Sequence, residues 1–465
     1  MKKIISENLF LALCIPIFLN FCINMLQNNE SLFHFYIKNF HHLFSLVLAC
    51  VFFYIITYEI NNLLNVNSLS LSLAYFLSSF FLVEYISISF GIKIFNNINV
   101  FHYLTLLFWL IIFVSKKIKL QNLFTIIASY TGLIIYNFYN FETIRTVLNY
   151  KELNTDVENQ WFQITQKIHS EGLFEAFINN IIQGQGLYIS HIQSTIFKIN
   201  FPLKDFEYIR VNSNIFLFFA LFLFFDLQIK FKNKIILSLL YFCVVLNSDW
   251  LTYLFVDSLM LEGIVGLIFC SFLVNLEKFQ NRKINLNSII FFLFFGCLLL
   301  SKQFISLIVL LFVIYLLFVK KYLNAFSSLF IYILDKLYLK IFFENNVSFE
   351  YLDGRSVLDL IVDLITLNNL DISVVQKIIY ELLKDRIVSY LFIIFVLLNL
   401  YSIILGKDTK NLFYLVLINI LLIAILYISW WKNIEVQSSY RYFLNFFYVL
   451  ISSIALNIDQ LFKED

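Results

Sequence analysis

Apolar residues run along this chain in blocks longer than the one-sided stripes of soluble helices. A helix needs about 20 apolar residues to cross a bilayer core. Apolar blocks, several of them shorter than that, occupy 8–26, 43–60, 69–91, 100–114, 122–139, 211–229, 235–247, 256–275, 287–301, 303–319, 323–343, 389–405, 411–429 and 440–457. The pattern predicts an all-α fold, a polytopic transmembrane helical bundle of about 13–14 spans, because only helices satisfy every backbone group inside such blocks. Only Ser301-Lys302-Gln303 separates 287–301 from 303–319, so the chain must turn tightly there. The block 323–343 is interrupted by Asp335 and Lys336.

Two longer polar intervals, about 140–210 and 344–388, punctuate the blocks. In Val157–His169 the apolar positions Trp161, Phe162, Ile164 and Ile168 recur near the helical period. Apolar residues of Ser356–Leu367 and Val374–Leu383 also share one face. Such amphipathic helices are expected to lie along the membrane interface rather than cross it. The chain has 10 Gly and 2 Pro, yet Gly172, Gly184, Gly186 and Pro202 all fall in 140–210. Irregular backbone is therefore concentrated in one loop, the usual place for a scaffold to carry a site. Gly184-Gln185-Gly186 reads as a turn.

Composition supports the membrane reading. Residues AVILMFWYC make up 60% of the 465 positions, and charged residues 14%, against roughly 25% charged in soluble domains. The 57 Phe and 27 Tyr, with abundant Asn, Ile and Lys, match an AT-rich genome and carry no functional weight. A net charge of +2 without a basic stripe excludes a nucleic-acid footprint. The six cysteines, Cys14, Cys22, Cys50, Cys243, Cys270 and Cys297, all sit inside apolar blocks with no metal-ligand spacing; they read as small buried residues. Lys2 and Lys3 precede an apolar run as in a signal peptide, but Asn20–Asn29 offers no small-residue cleavage pattern, so a retained first helix is expected.

Charge then orients the chain. With the N-terminus cytoplasmic, the inner loops carry Lys116/Lys117/Lys119, Lys230/Lys232/Lys234, Lys278/Arg282/Lys283, Lys320/Lys321 and Lys407/Lys410, while the short outer loops carry only Lys38, Lys93, Lys302 and Lys432. This separation requires 323–343 to cross. It places 140–210 and 344–388 outside.

The outer segment 140–210 contains Asp156 with Glu158, an amphipathic stretch Ile164–Gly172, then Gly186-Leu187-Tyr188, then Arg210. Further on, Asp257 precedes an apolar run, Leu300-Ser301-Lys302-Gln303 forms a turn, and Ser439-Tyr440-Arg441-Tyr442 stands at the outer end of a late span. In this order the residues resemble the GT-C superfamily of membrane glycosyltransferases, mannosyl- and arabinosyltransferases among them, over about residues 122–457. The family's usual Pro in the Gly-Pro-Leu-Tyr-like turn is missing. The resemblance implies a GT-C-like core at 122–465, with 1–121 as additional N-terminal helices. It also implies a polyprenyl-phosphate sugar donor and inversion at the anomeric carbon. The acceptor would be a glycan, a lipid or a protein. The expected location is a bacterial inner membrane with the site on the periplasmic side, among membrane lipids.

The chemistry fits those residue types. A base must take the acceptor hydroxyl proton, which suits Asp156, with Glu158 beside it. Asp156 is equally placed to cap the following helix. The departing lipid phosphate needs cations near the outer leaflet, which suits Lys302 and Arg441; either residue could also be a plain boundary residue, Arg441 as a snorkelling anchor. Lys302 stands against the positive-inside bias. Arg210, Tyr188, His191 and Asp257 complete the candidate substrate-binding set, although His191 and His169 also suit packed helix positions and Asp257 with Asp249 a solvated loop. Glu84, near the outer end of block 69–91, is an intramembrane acid that could face only the interface. No cofactor and no metal site is predicted. A polymerase or ligase of surface polysaccharide (O-antigen type) shares the lipid-linked substrates and outer loops but lacks the early acidic pattern. A lipid or solute transporter calls for Gly/Pro-broken helices in repeated halves, which the chain does not show.

Overall fold

The computed structural model describes residues 32–89, 100–140, 163–173, 187–200, 212–227, 261–280, 285–301, 303–342, 386–404 and 447–461, with scattered single positions at 176, 234–237 and 362–380. All regular structure among them is helical. The blocks 8–26 and 411–429, nearly all of 235–247, and most of 344–388 lie outside the described residues. The chain divides into two compact units: residues 1–181, 189–226 and 235–260 form the first, and 182–188, 227–234 and 261–465 the second.

The first unit contains α1 (Leu32–Leu64), α2 (Leu69–Ser89), α3 (Val100–Ser115), α4 (Leu120–Tyr139), α5 (Gln163–Glu171), α6 (Tyr188–Asn200, apart from its first residue) and α7 (Asn212–Asp226). α1 reaches well beyond the predicted 43–60 at its N-terminal end. Among the described residues two helices are long and apolar enough to cross a membrane, Phe44–Leu64 and Leu69–Ser89. They form a hairpin. The turn uses Asn65 and Asn67 at φ +50° and +56°, a left-handed conformation that Asn tolerates best among residues with a Cβ.

α2 is the spine of this unit, packing on α1, α3 and α7. Every residue from Leu69 to Phe81 is buried, its serines included. Those serines stay dry by bonding back to their own helix: Ser72 Oγ to Ser68 O at 2.7 Å, Ser78 Oγ to Ala74 O at 2.6 Å and Ser79 Oγ to Phe76 O at 2.7 Å. The first turn of α2 is capped from another helix. Asp226, the last residue of α7, accepts from Ser68 Oγ at 2.9 Å, Leu69 N at 2.7 Å and Ser70 N at 2.7 Å. Orphan N–H groups of a helix start and a buried carboxylate thus satisfy each other.

Polarity in the helices is inverted. α3 buries His102, Thr105, Leu106, Trp109 and Phe113, and exposes Leu104, Leu107, Phe108, Ile111 and Val114. α4 buries Ser129 and Asn137 and exposes Phe124, Ile127, Ile135 and Phe138. A water-facing helix has the opposite arrangement.

The second unit contains α8 (Leu261–Gln280), α9 (Leu286–Gly296) continuing as a 3₁₀ turn (Cys297–Leu300), α10 (Gln303–Phe318), α11 (Tyr322–Phe342), α12 (Arg386–Ile404) and α13 (Phe447–Leu461). α9 opens with a capping box: Asn285 Oδ1 accepts from Ser288 N at 2.9 Å, and Ser288 Oγ accepts from Asn285 N at 3.1 Å. The predicted tight turn follows it. The 3₁₀ segment ends at buried Ser301, and Ser306 Oγ ties α10 back to Leu299 O at 2.7 Å. The block interrupted by Asp335 and Lys336 forms the continuous helix α11, with Asp335 buried. α8 meets α13 at Cys270 and Ser452 (Sγ–Oγ 3.6 Å), and Asn457 of α13 donates to Asn399 of α12 at 3.3 Å. α11 and α12 repeat the inverted polarity: Asn324, Ser328 and Asn399 are buried, while Phe326, Phe330, Ile393 and Leu397 are exposed. Among the described cysteines, Cys50, Cys270 and Cys297 are buried and form no disulfide.

α9 and α11 touch backbone to backbone at Gly296. A Cβ there would lie 2.0 Å from Ser328 O and 2.8 Å from Ser328 C. Small residues allow this approach, which side chains cannot relieve. Replacing Gly296 by Ala is therefore expected to cost about 1–3 kcal/mol, read as a lowered thermal midpoint of the detergent-solubilised protein. Asp226→Ala, which strips three donors at the start of α2, is expected to cost about 1–3 kcal/mol. Asp226→Asn keeps one carbonyl acceptor and should fall between Asp226→Ala and the parent in the same measurement.

Candidate functional site

The segment following α4 supplies two short helices with polar faces turned inward. In α5, Ile164 and Ile168 are buried one turn apart, and Thr165 and His169 are buried beside them. Gln166 and Glu171 are exposed. The helix closes at Gly172, whose φ of +95° is glycine territory. Gly172 N donates to Ile168 O at 3.2 Å.

α6 is unusual for its burial. All residues from Tyr188 to Asn200 are buried, yet Ser190, His191, Gln193, Ser194, Thr195, Lys198 and Asn200 are polar. Helical geometry puts Tyr188, Ile189, Ile192, Ile196 and Ile199 on one arc and the polar residues on the other. The polar arc is met by α5 and α2. Thr165 Oγ1 lies 3.1 Å from Gln193 Oε1, and the ring of His169 stands edge-on to Phe197 at 4.9 Å.

The centre of the cluster is Glu84 of α2. Its Oε2 lies 2.7 Å from His191 Nε2, and its Oε1 accepts from Leu173 N at 2.8 Å. The other ring nitrogen of His191 lies 3.3 Å from Thr195 Oγ1. Phe81, one turn before Tyr85 on α2, meets the His191 ring edge-to-face at 5.4 Å. Lys198 donates to Ile168 O at 3.3 Å, at the C-terminal end of α5, where a cation is favoured by the helix dipole. Burial pushes the Lys198 ammonium below the usual lysine range, and the Glu84 carboxylate acts in the opposite direction. His102 of α3 stacks on Phe80 at 4.7 Å. Among the described residues, His102 Nε2 and the buried hydroxyls of Ser190 and Ser194 have no hydrogen-bond partner.

Chemically, this is a buried carboxylate–imidazole pair with a lysine alongside. It can share a proton between Glu84 and His191. Among the described residues no group of three His, Cys, Asp or Glu could hold a metal ion.

Of the predicted catalytic and substrate-binding residues, Tyr188 and His191 are described. Tyr188 is the fully buried first residue of α6, and His191 is the partner of Glu84. Asp156, Glu158, Arg210, Asp257, Lys302 and Arg441 lie outside the described residues, as do Gly184-Gln185-Gly186 and Asp249. The interface-facing alternative for Glu84 is corrected: the side chain is buried and its two oxygens are both engaged, because a carboxylate in an apolar helix must find donors. His169 and His191 are packed. Lys198 was missed by the sequence reading, although the signal was present: seven polar residues alternate with isoleucines over 188–200, a pattern that marks a polar face with a destination.

No protein-family model, curated protein or solved structure matches the chain.

Gly172 offers a direct check of the turn. A Cβ there would sit 3.5 Å from Glu84 Oε1, an ordinary contact, so the strain of Gly172→Ala comes from the backbone alone. The substitution is expected to destabilise by at least about 1 kcal/mol, seen as a lower thermal midpoint.

Proposed function

We propose that the chain is a multi-pass membrane protein that transfers a sugar from a polyprenyl-phosphate-linked donor to an acceptor on the non-cytoplasmic face. The observation that carries the membrane part is the inverted polarity of α3, α4, α11 and α12, with polar residues inside and large apolar ones outside. Lipid is the solvent that suits such a surface. The tight Lys-bearing turns at 116–119 and 319–321 support a cytoplasmic placement for those ends.

Sugar transfer is favoured by the ordered set of residues in the outer segments. Asp156 and Glu158 precede α5; α5 ends on a positive-φ glycine, and Leu187-Tyr188 opens α6. In the proposed reaction the acceptor hydroxyl gives its proton to Asp156, and its oxygen attacks the anomeric carbon. The bond from that carbon to the phosphate oxygen breaks. The polyprenyl phosphate leaves with the electron pair, and Lys302 and Arg441 stabilise its charge. Arg210, Tyr188, His191 and Asp257 belong to the surrounding substrate site, in a bacterial inner membrane with the site on the periplasmic side.

Membranes containing the protein, given radiolabelled polyprenyl-phosphate sugars, should release polyprenyl phosphate and label an acceptor. Asp156→Asn should lower this by at least about 100-fold at unchanged membrane level, and a fully active mutant would remove Asp156 from the reaction. Arg441→Ala should weaken use of the lipid-phosphate donor. Cysteines placed at 156 and 441 should react with an impermeant maleimide from the same, non-cytoplasmic side; opposite sides would end the proposal.

A further inference from the structure

Glu84 is bonded to two different parts of the outer segment. One oxygen holds Leu173 N–H, just past the glycine that ends α5; the other faces His191 Nε2 on α6. Lys198 holds the carbonyl of Ile168, four residues before Gly172. The turn at Gly172 is thus gripped from both sides, a carboxylate on an N–H and an ammonium on a C=O. Both are charge-assisted contacts to backbone groups at a helix end, the strongest kind available there. Glu84 and Lys198 are buried, so neither contact is diluted by solvent.

The second bond has a chemical consequence. An ionised carboxylate only accepts, so His191 must donate Nε2–H to Glu84. The hydrogen-bonded partner thereby decides which ring nitrogen carries the proton and fixes the plane of the ring. With Gln at 84, Oε1 still accepts from Leu173, but the amide donates toward His191. Nε2 must then accept, and the proton moves to Nδ1.

We infer that Glu84 is a positioning residue for the outer segment: with Lys198 it clamps the Gly172 turn of α5, and it fixes the proton of His191 on Nε2. The inference rests on the reading of 140–210 as the segment that carries the site. α5 follows directly on the stretch holding Asp156 and Glu158, so a fixed α5 anchors one end of that stretch.

Three measurements on the intact, detergent-purified protein test it. The first is trypsin cleavage after Lys167 on α5, followed by mass spectrometry of the new terminus. Glu84→Ala and Lys198→Met should each speed this cleavage about tenfold or more, since helix opening is what exposes the bond; Glu84→Gln should stay within about twofold of the parent. Unchanged cleavage in Glu84→Ala overturns the clamp. The second is the ¹⁵N spectrum of histidine-labelled protein in lipid, with His191 assigned by its loss in His191→Gln. Protonated Nε2 in the parent should become unprotonated Nε2 in Glu84→Gln, and no change overturns the control of His191. The third is turnover with the lipid-linked donor. Glu84→Gln should lower kcat, counted per mole of protein that stays intact at Lys167 in the cleavage assay, at least about tenfold with KM within about twofold. Parent-like kcat in Glu84→Gln overturns the positioning role. Absence of sugar transfer in the parent would instead sink the proposed function, and the first two measurements would still decide the clamp and the His191 proton.

Discussion

A carboxylate kept dry must find its donors within the protein. Glu84 finds one on the backbone past α5 and one on the imidazole of α6. Burying a lone charge costs several kcal/mol, and the pairing offsets that cost only while both partners stay in place. The geometry of α5 and α6 is therefore tied to α2. Asp226 imposes the same constraint at the other end of α2, where three donors of the helix start converge on it. One helix is thus held near both ends through acids: its own, near the C-terminus, and that of α7 at the N-terminus. Both links bridge long stretches of sequence, so the first unit closes around α2 through polar contacts as much as through its phenylalanines.

Apolar packing alone would give a less specific unit. With lipid around the apolar outer surface, as proposed, burying one more leucine gains little, and polar contacts and close approach decide which faces meet. Polar side chains and one glycine do this in three ways. The serines of α2 bond back to their own helix and allow it to pack on all sides. His41 and Tyr136, 2.6 Å apart, and Asn122 with Glu59 join α1 to α4. In the second unit, Gly296 lets two backbones touch.

The sequence revealed helices better than partnerships. Blocks 69–91, 100–114, 122–139, 303–319 and 323–343 reappear within about two residues of α2, α3, α4, α10 and α11, because a long apolar run fixes a helix regardless of its neighbours. α1 was underestimated since its N-terminal half mixes His41, Lys38 and Asn39 with aromatics, and hydropathy falls where tertiary contacts still keep the helix. The amphipathic stretch read over Val157–His169, and over Ile164–Gly172 from the resemblance, is described as the helix Gln163–Glu171 closing at Gly172, which takes a positive φ. The Glu84–His191 pair was not, as 107 residues separate its members and nothing local links an acid in one block to a histidine in a distant loop. What the sequence did contain was the anomaly on each side: a charge in an apolar block, and a helix-length stretch with too many polar residues for its isoleucines.

The placement of Glu84 also changes how the N-terminal helices are to be regarded. From sequence, residues 1–121 are extra helices ahead of a core that begins near 122. Yet α2 provides the carboxylate on which α5 and α6 depend, and α3 adds His102 to the surroundings of Lys198 and His191. Glu84 stands on α2 where the Gly172 turn and the His191 imidazole meet an acceptor. In the proposed transferase the first helices would thus form a wall of the site, because α5 and α6 fold onto α2.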